Sequence, residues 1–191
     1  DKNINSIHFD GDLIYVACNL GLVVIDNLKK EVKDTYYPYE NPIIYDITIY
    51  QDTIFCGTPQ GIYQAEKNTP FLNSNANWEQ KTNLPPQIVN DTIMEIETFG
   101  DKLVFSWNDH IFGNDSLYYF DNGVLINHPD NPTTVSELYA DGDELILSAY
   151  NDAKMYNTDM VQSNLIFSVE GEAPIVRGCL FKNGHYYIAD E

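Results

Sequence analysis

Read as an alternation of hydrophobic and polar positions, the chain repeats one phrase five times. An apolar strand of period two is followed by a tight turn rich in Asp, Asn and Gly, and then by a second apolar strand. The five copies are SIHFDGDLIYVAC (6–18), DITIYQDTIFCGT (46–58), EIETFGDKLVFSW (95–107), ELYADGDELILSA (137–149) and GCLFKNGHYYIAD (178–190). They align without a gap on Asp12, Asp52, Asp101, Asp143 and Gly184, in steps of 40, 49, 42 and 41 residues. A period in the low forties with four short strands per unit predicts the blades of a β-propeller, an all-β fold.

Within each copy Ile7, Ile47, Ile96, Leu138 and Cys179 stand five residues before the aligned turn position, and this spacing predicts one shared layer of the core. Asp10-Gly11, Gly100-Asp101, Asp141-Gly142 and Asn183-Gly184 supply residues that tolerate positive φ, as a two-residue hairpin requires. Third strands are predicted at 21–26, 61–66, 116–121 and 153–158. Outer strands follow at 32–37, 78–83, 124–129 and 163–168, the most polar of each set, as edge strands facing water should be. The second copy carries an insertion, KNTPFLNSNAN (67–77), that ends at Trp78, and its Asn, Pro and Ser content marks a loop.

The expected organisation is a single domain with blades at about 4–39, 44–84, 93–128 and 135–169 and a partial blade at 175–191. Four and a half four-stranded antiparallel blades leave a ring open, so this organisation predicts an incomplete part of a larger propeller.

Composition narrows the function. Ten basic against 29 acidic side chains give a net charge of −19, which repels a nucleic-acid backbone and removes DNA and RNA as partners. The acidic residues are spread through turns and read as a solubilising surface. Cys18, Cys56 and Cys179 lack metal-ligand spacing and read as buried free thiols. No apolar run has the length of a membrane span, and no signal-peptide pattern opens the chain.

No catalytic, cofactor-binding or metal residue is assigned. His8, His110, His128 and His185 fall in unrelated places, with His8 and His185 expected on solvent-facing strand positions. Asp10-Gly11-Asp12, Asp141-Gly142-Asp143 and the acidic loop 108–115 could attract calcium, but turn chemistry accounts for the two repeated Asp-Gly-Asp triplets without it. Fourteen tyrosines are an excess, with Tyr36, Tyr37 and Tyr39 close together and Tyr118-Tyr119 and Tyr186-Tyr187 in strands. Adjacent strand residues point to opposite faces, so one tyrosine of each pair is a candidate for protein or sugar recognition.

The first two blades carry a family resemblance. IHFDGDLIYVACNLGLVVIDNLKKEVKDTYY and the following IYDITIYQDTIFCGTPQGIYQAEKNTPFLNSNANWEQKTNLP resemble the N-terminal β-propeller of PorZ-type proteins of the bacterial type IX secretion system. The resemblance covers about the first 85 residues; the later blades share only the strand and turn pattern. It implies a non-enzymatic component at the outer surface of a diderm bacterium. Its implied partners are a sortase-type protease and outer-membrane attachment-complex proteins, with glycan or lipopolysaccharide as a further ligand. It also implies two propellers and a small C-terminal domain, of which this chain holds part of one propeller.

Asp52-Thr53-Ile54, Asp91-Thr92-Ile93 and Asp115-Ser116-Leu117 resemble the O-glycosylation sequon of the same bacteria, and equally a turn Asp before a strand. Two other functions are consistent with a propeller. One is the saccharide-sensing periplasmic propeller of a hybrid two-component regulator. The other is a propeller glycosidase or lyase, which needs inward-pointing carboxylates at matched blade positions, where the repeats are expected to place hydrophobics.

Overall fold

Each of the first four aligned turns closes a two-residue hairpin, and a four-stranded antiparallel sheet grows from each by simple succession of neighbours. The computed structural model describes residues 3–108, 114–130, 132, 134–168, 176–182 and 185–190. The chain divides into two compact units, Asp1–Ile96 and Glu97–Glu191.

The first unit holds two complete sheets. Strands β1 (Ile4–Asp10), β2 (Leu13–Cys18), β3 (Gly21–Asp26) and β4 (Glu31–Tyr36) pair in that order. Strands β5 (Asp46–Tyr50), β6 (Thr53–Thr58), β7 (Gly61–Glu66) and β8 (Glu79–Gln80) repeat the arrangement. The repetition extends to individual hydrogen bonds. Cys18 Sγ and Thr58 Oγ1, at the same place in their repeats, donate to the carbonyls of Gly21 and Gly61 at 3.1 and 2.8 Å. The Cys18 and Thr58 carbonyls each accept an amide from the next connecting segment, Ile44 at 3.1 Å and Ile93 at 3.0 Å.

The core of this unit forms where Tyr15, Ala17, Leu22 and Val24 of the first sheet pack with Ile44, Ile47, Ile54 and Cys56. Here one expectation fails. Ile47, Ile96, Leu138 and Cys179 are buried to 5% exposure or less, whereas Ile7 is 50% exposed. Ile47 lies in the cluster made with the first sheet, while the face of β1 that carries Ile7 and Phe9 remains open to solvent.

The outer strand expected at 78–83 also shortens, to the two residues of β8. Lys81 still donates its amide to the Ile62 carbonyl at 2.8 Å, but Pro85 and Pro86 then start a four-residue helix, α1 (Pro86–Val89). Proline at the first helical turn is favourable, and proline cannot donate to a ladder.

The second unit contains β9 (Ile96–Phe99, whose first residue closes the first unit), β10 (Lys102–Asn108), β11 (Asp115–Asp121) and β12 (Val124–Asn127). A further sheet comprises β13 (Val135–Asp141), β14 (Glu144–Ala149), β15 (Asp152–Asn157) and β16 (Gln162–Ser168). The hairpin β17 (Val176–Lys182) and β18 (His185–Asp190) follows. Phe99, Val104, Leu117, Leu138, Leu145 and Tyr156 form its main core, and Ile146, Ala153, Met155 and Cys179 a second one. The fold is thus all-β, with four complete antiparallel blades of a propeller and a two-stranded fifth. No helix among the described residues is long and apolar enough to cross a membrane.

Candidate functional site

The insertion at 67–77 and the connection between β4 and β5 meet beside β7 and enclose a cleft of about 530 Å³. Pro38, Tyr39, Glu40 and Asn41 line it from the connection, Gln60 and Tyr63 from the β6–β7 hairpin, and Asn75 and Trp78 from the end of the insertion.

Each wall is held by identifiable bonds. The Trp78 indole donates from Nε1 to the Leu72 carbonyl at 2.8 Å, which folds the insertion back on itself. Asn77 Nδ2 ties the same loop to the carbonyls of Pro70 and Phe71 at 3.2 and 2.9 Å. Tyr39 stacks on Tyr63 with ring centroids 4.8 Å apart and donates its hydroxyl to the Ile43 carbonyl at 2.8 Å. Burial pushes the Tyr39 phenol up to about 12, so it stays a neutral hydrogen-bond donor. Gln80 Nε2 reaches the carbonyls of Gln60, which lines the cleft, and Val89 at 2.9 and 2.8 Å and so fastens α1.

The lining therefore offers aromatic surface, three amide side chains and one carboxylate on a rigid frame. That set is suited to binding, and it contains neither a nucleophile with a base nor a pair of carboxylates.

In the second unit the connection into β13 is fixed by charge instead. Lys154 Nζ donates to both oxygens of Asp130 at 3.1 and 3.0 Å and lies 3.3 Å from Asp152, while the buried Tyr156 hydroxyl donates to Asp130 Oδ2 at 2.5 Å. His128 beside it accepts the Asp130 amide at Nδ1 (3.1 Å) and bonds the Met160 carbonyl through Nε2 (2.8 Å). These contacts fix the tautomer with the proton on Nε2, which leaves the ring no lone pair for a ligand.

Carboxylates recur at one position of the repeat. Six residues before the aligned turn position stand Ser6, Asp46, Glu95 and Glu137. Two of the carboxylates are spent on backbone amides. Asp46 Oδ2 accepts from Ile96 N at 2.8 Å, and Glu137 Oε2 from Cys179 N at 3.2 Å. Asp46 Oδ1 also accepts its neighbour Ile47 N at 2.8 Å. An alternation count assigns these positions only to a strand face; their capture by an amide 42 to 50 residues away is invisible to it.

The remaining candidates separate clearly. Asp10 is ion-paired with Lys67 at 2.7 Å, and among the described residues no group of three or more His, Cys, Asp and Glu could hold a metal ion. His185 is exposed, His8 is half-buried with its pKa lowered by desolvation, and His110 lies outside the described residues. The loop 108–115 is described only in part. Cys18, Cys56 and Cys179 are buried free thiols, as expected. Of the tyrosine pairs, Tyr118 is buried and Tyr119 half-buried, while Tyr186 and Tyr187 are both exposed.

The cleft falls in the part of the chain that comparison with known proteins marks out. Residues 1–79 match the family model of the PorZ N-terminal β-propeller domain. No curated protein matches the sequence. Among solved structures, PorZ of Porphyromonas gingivalis, an essential surface component of its type IX secretion system, is 18% identical with a TM-score of 0.71, over 98% of this chain and 23% of that one. The extracellular domain of a putative hybrid two-component system of B. thetaiotaomicron is 17% identical with a TM-score of 0.65, over 100% of this chain and 25% of that one. A chain of a nidogen–laminin complex is 14% identical with a TM-score of 0.70, over 99% of this chain and 72% of that one. At these identities the likeness is one of fold. The chain spans about a quarter of the PorZ and two-component structures it matches. The PorZ-type stretch runs from the first described strand through Trp78, and so includes every residue lining the cleft.

Proposed function

We propose that this chain is a non-catalytic interaction module of a type IX secretion attachment complex, presented at the outer surface of a diderm bacterium. The match of residues 1–79 to the PorZ N-terminal propeller carries the reading. Two features of the molecule support it. The cleft between the 37–45 connection and the insertion holds binding groups on a rigid frame, and the carboxylates Asp46 and Glu137, at matched blade positions, are taken up by backbone amides. The cleft is the surface shown to a protein partner, with a sortase-type protease and outer-membrane attachment proteins as the partners the family implies.

The test is co-purification of the protein from its native outer membrane in mild detergent, wild type against an Asn75→Arg variant that fills the cleft. Recovery of a sortase-type protease with the wild type and its loss with the variant is the expected result. Recovery of the protein alone, or from the inner membrane joined to a kinase domain, overturns the reading and favours the saccharide-sensing regulator, whose extracellular domain shares the fold.

A further inference from the structure

Asp46 is a buried carboxylate held among neutral groups. It faces the Ser6 hydroxyl from β1, the Cys56 thiol from β6, its own neighbour's amide at Ile47, and the amide of Ile96 at the end of the segment 91–96. None of these partners is a cation. That segment is docked on the second sheet at two points. Ile93, fully buried, donates its amide to the Thr58 carbonyl at 3.0 Å, and its own carbonyl lies over Gly57, where a Cβ would approach it to 2.8 Å. The other point is Asp46. One fastening thus carries no titratable group and the other can gain or lose a proton.

We propose that Asp46 is a protonation-controlled latch on the 91–96 segment, gripping it more firmly as the pH falls through the weakly acidic range. The sign follows from where the charge sits. With the segment docked, burial disfavours the ionised carboxyl by more than its three hydrogen bonds recover, and its pKa is pushed up to about 6. With the segment released, the carboxyl meets water and returns to the ordinary carboxylate range. The docked form binds the proton more tightly, so acid favours docking and rising pH favours release.

The test is hydrogen exchange of the Ile93 and Ile96 amides in the protein between pH 5 and 7, corrected for intrinsic base-catalysed exchange. The opening constant should rise about tenfold over that range, as proton linkage to a single group requires. Asp46→Asn should abolish the rise. A flat wild-type profile, or the same slope in the variant, overturns the proposal. Should Asp46→Asn fail to fold, the Asp46 carboxyl carbon can be titrated by NMR in the wild type and in Ser6→Ala, which removes a donor to the charged form. A midpoint near 6 that moves upward in Ser6→Ala supports the latch, and one near 4 in the wild type overturns it.

Discussion

The rings of Tyr39 and Tyr63 lie 4.8 Å apart and 19° from parallel, one 13 residues before and the other 11 residues after the turn residue Asp52. At the same two offsets from Asp143 stand Asp130 and Lys154, joined at 3.0 Å. One position in the repeat thus serves to lock an incoming connection onto the third strand of a sheet, by stacking in one blade and by charge in another. Replacing one member of either pair strands the other.

The lock should be transferable. Tyr39→Asp or Tyr63→Lys alone should cost about 3 kcal/mol, through the lost aromatic packing and an unpaired charge, buried at 39 and half-buried at 63. The double variant should recover about 1–2 kcal/mol of the sum of the two single effects, the coupling expected of contacting residues. A thermal-unfolding double-mutant cycle measures it, and strict additivity would show that the two sites do not share this role.

The second hairpin lacks the glycine that the others carry. Its loop residues Gln51 and Asp52 themselves adopt φ of 49° and 58°, where the first hairpin uses Gly11 at 57°. Both loop residues at positive φ define the turn that favours Asn-Gly. The double substitution Gln51→Asn, Asp52→Gly should stabilise by about 1 kcal/mol, or about 3 °C in Tm for a chain of this size. Unchanged Tm would mean that Gln51 and Asp52 carry no strain here.

Most of the fold was legible because its signals are local. Strand alternation, the hairpin turns and the third strands at 21–26 and 61–66 fall where the repeat puts them. Three things were hidden for one physical reason, that each depends on which distant surface a strand meets. Ile7 shares the pattern of Ile47 but not its covering sheet. The polar stretch after Trp78 reads as an edge strand until Gln80 turns to hold the Val89 carbonyl. Tyr39 and Trp78 were visible as aromatics, and the insertion as a loop, yet nothing in the sequence says that they enclose a common cleft.

Cys18 and Thr58 occupy one repeat position and make one bond, to the carbonyls of Gly21 and Gly61. A hydroxyl is the stronger donor and fits the same geometry in the second blade, so Cys18→Thr should be neutral or slightly stabilising. Cys18→Val matches the threonine in shape but leaves a buried carbonyl short of a partner, at about 1 kcal/mol. Urea unfolding of the two variants distinguishes hydrogen bonding from packing: equal losses would assign Cys18 to packing alone.

Two glycines with the same sign of φ should respond very differently to a methyl group. Gly11, at 57°, has nothing within 4 Å of the position a Cβ would take, so Gly11→Ala meets only the backbone penalty of the left-handed region, about 1 kcal/mol. Gly61, at 97°, would place its Cβ 2.1 Å from the Val89 carbonyl oxygen at the end of α1. That oxygen is itself held by Gln80 Nε2, so the helix cannot move aside without breaking that clamp. Gly61→Ala should therefore cost about 3 kcal/mol or more and loosen the 86–90 backbone, seen as lost amide protection at Ile88 and Val89. Equal costs for the two substitutions would show that α1 yields freely and that the Gln80 clamp does not hold it.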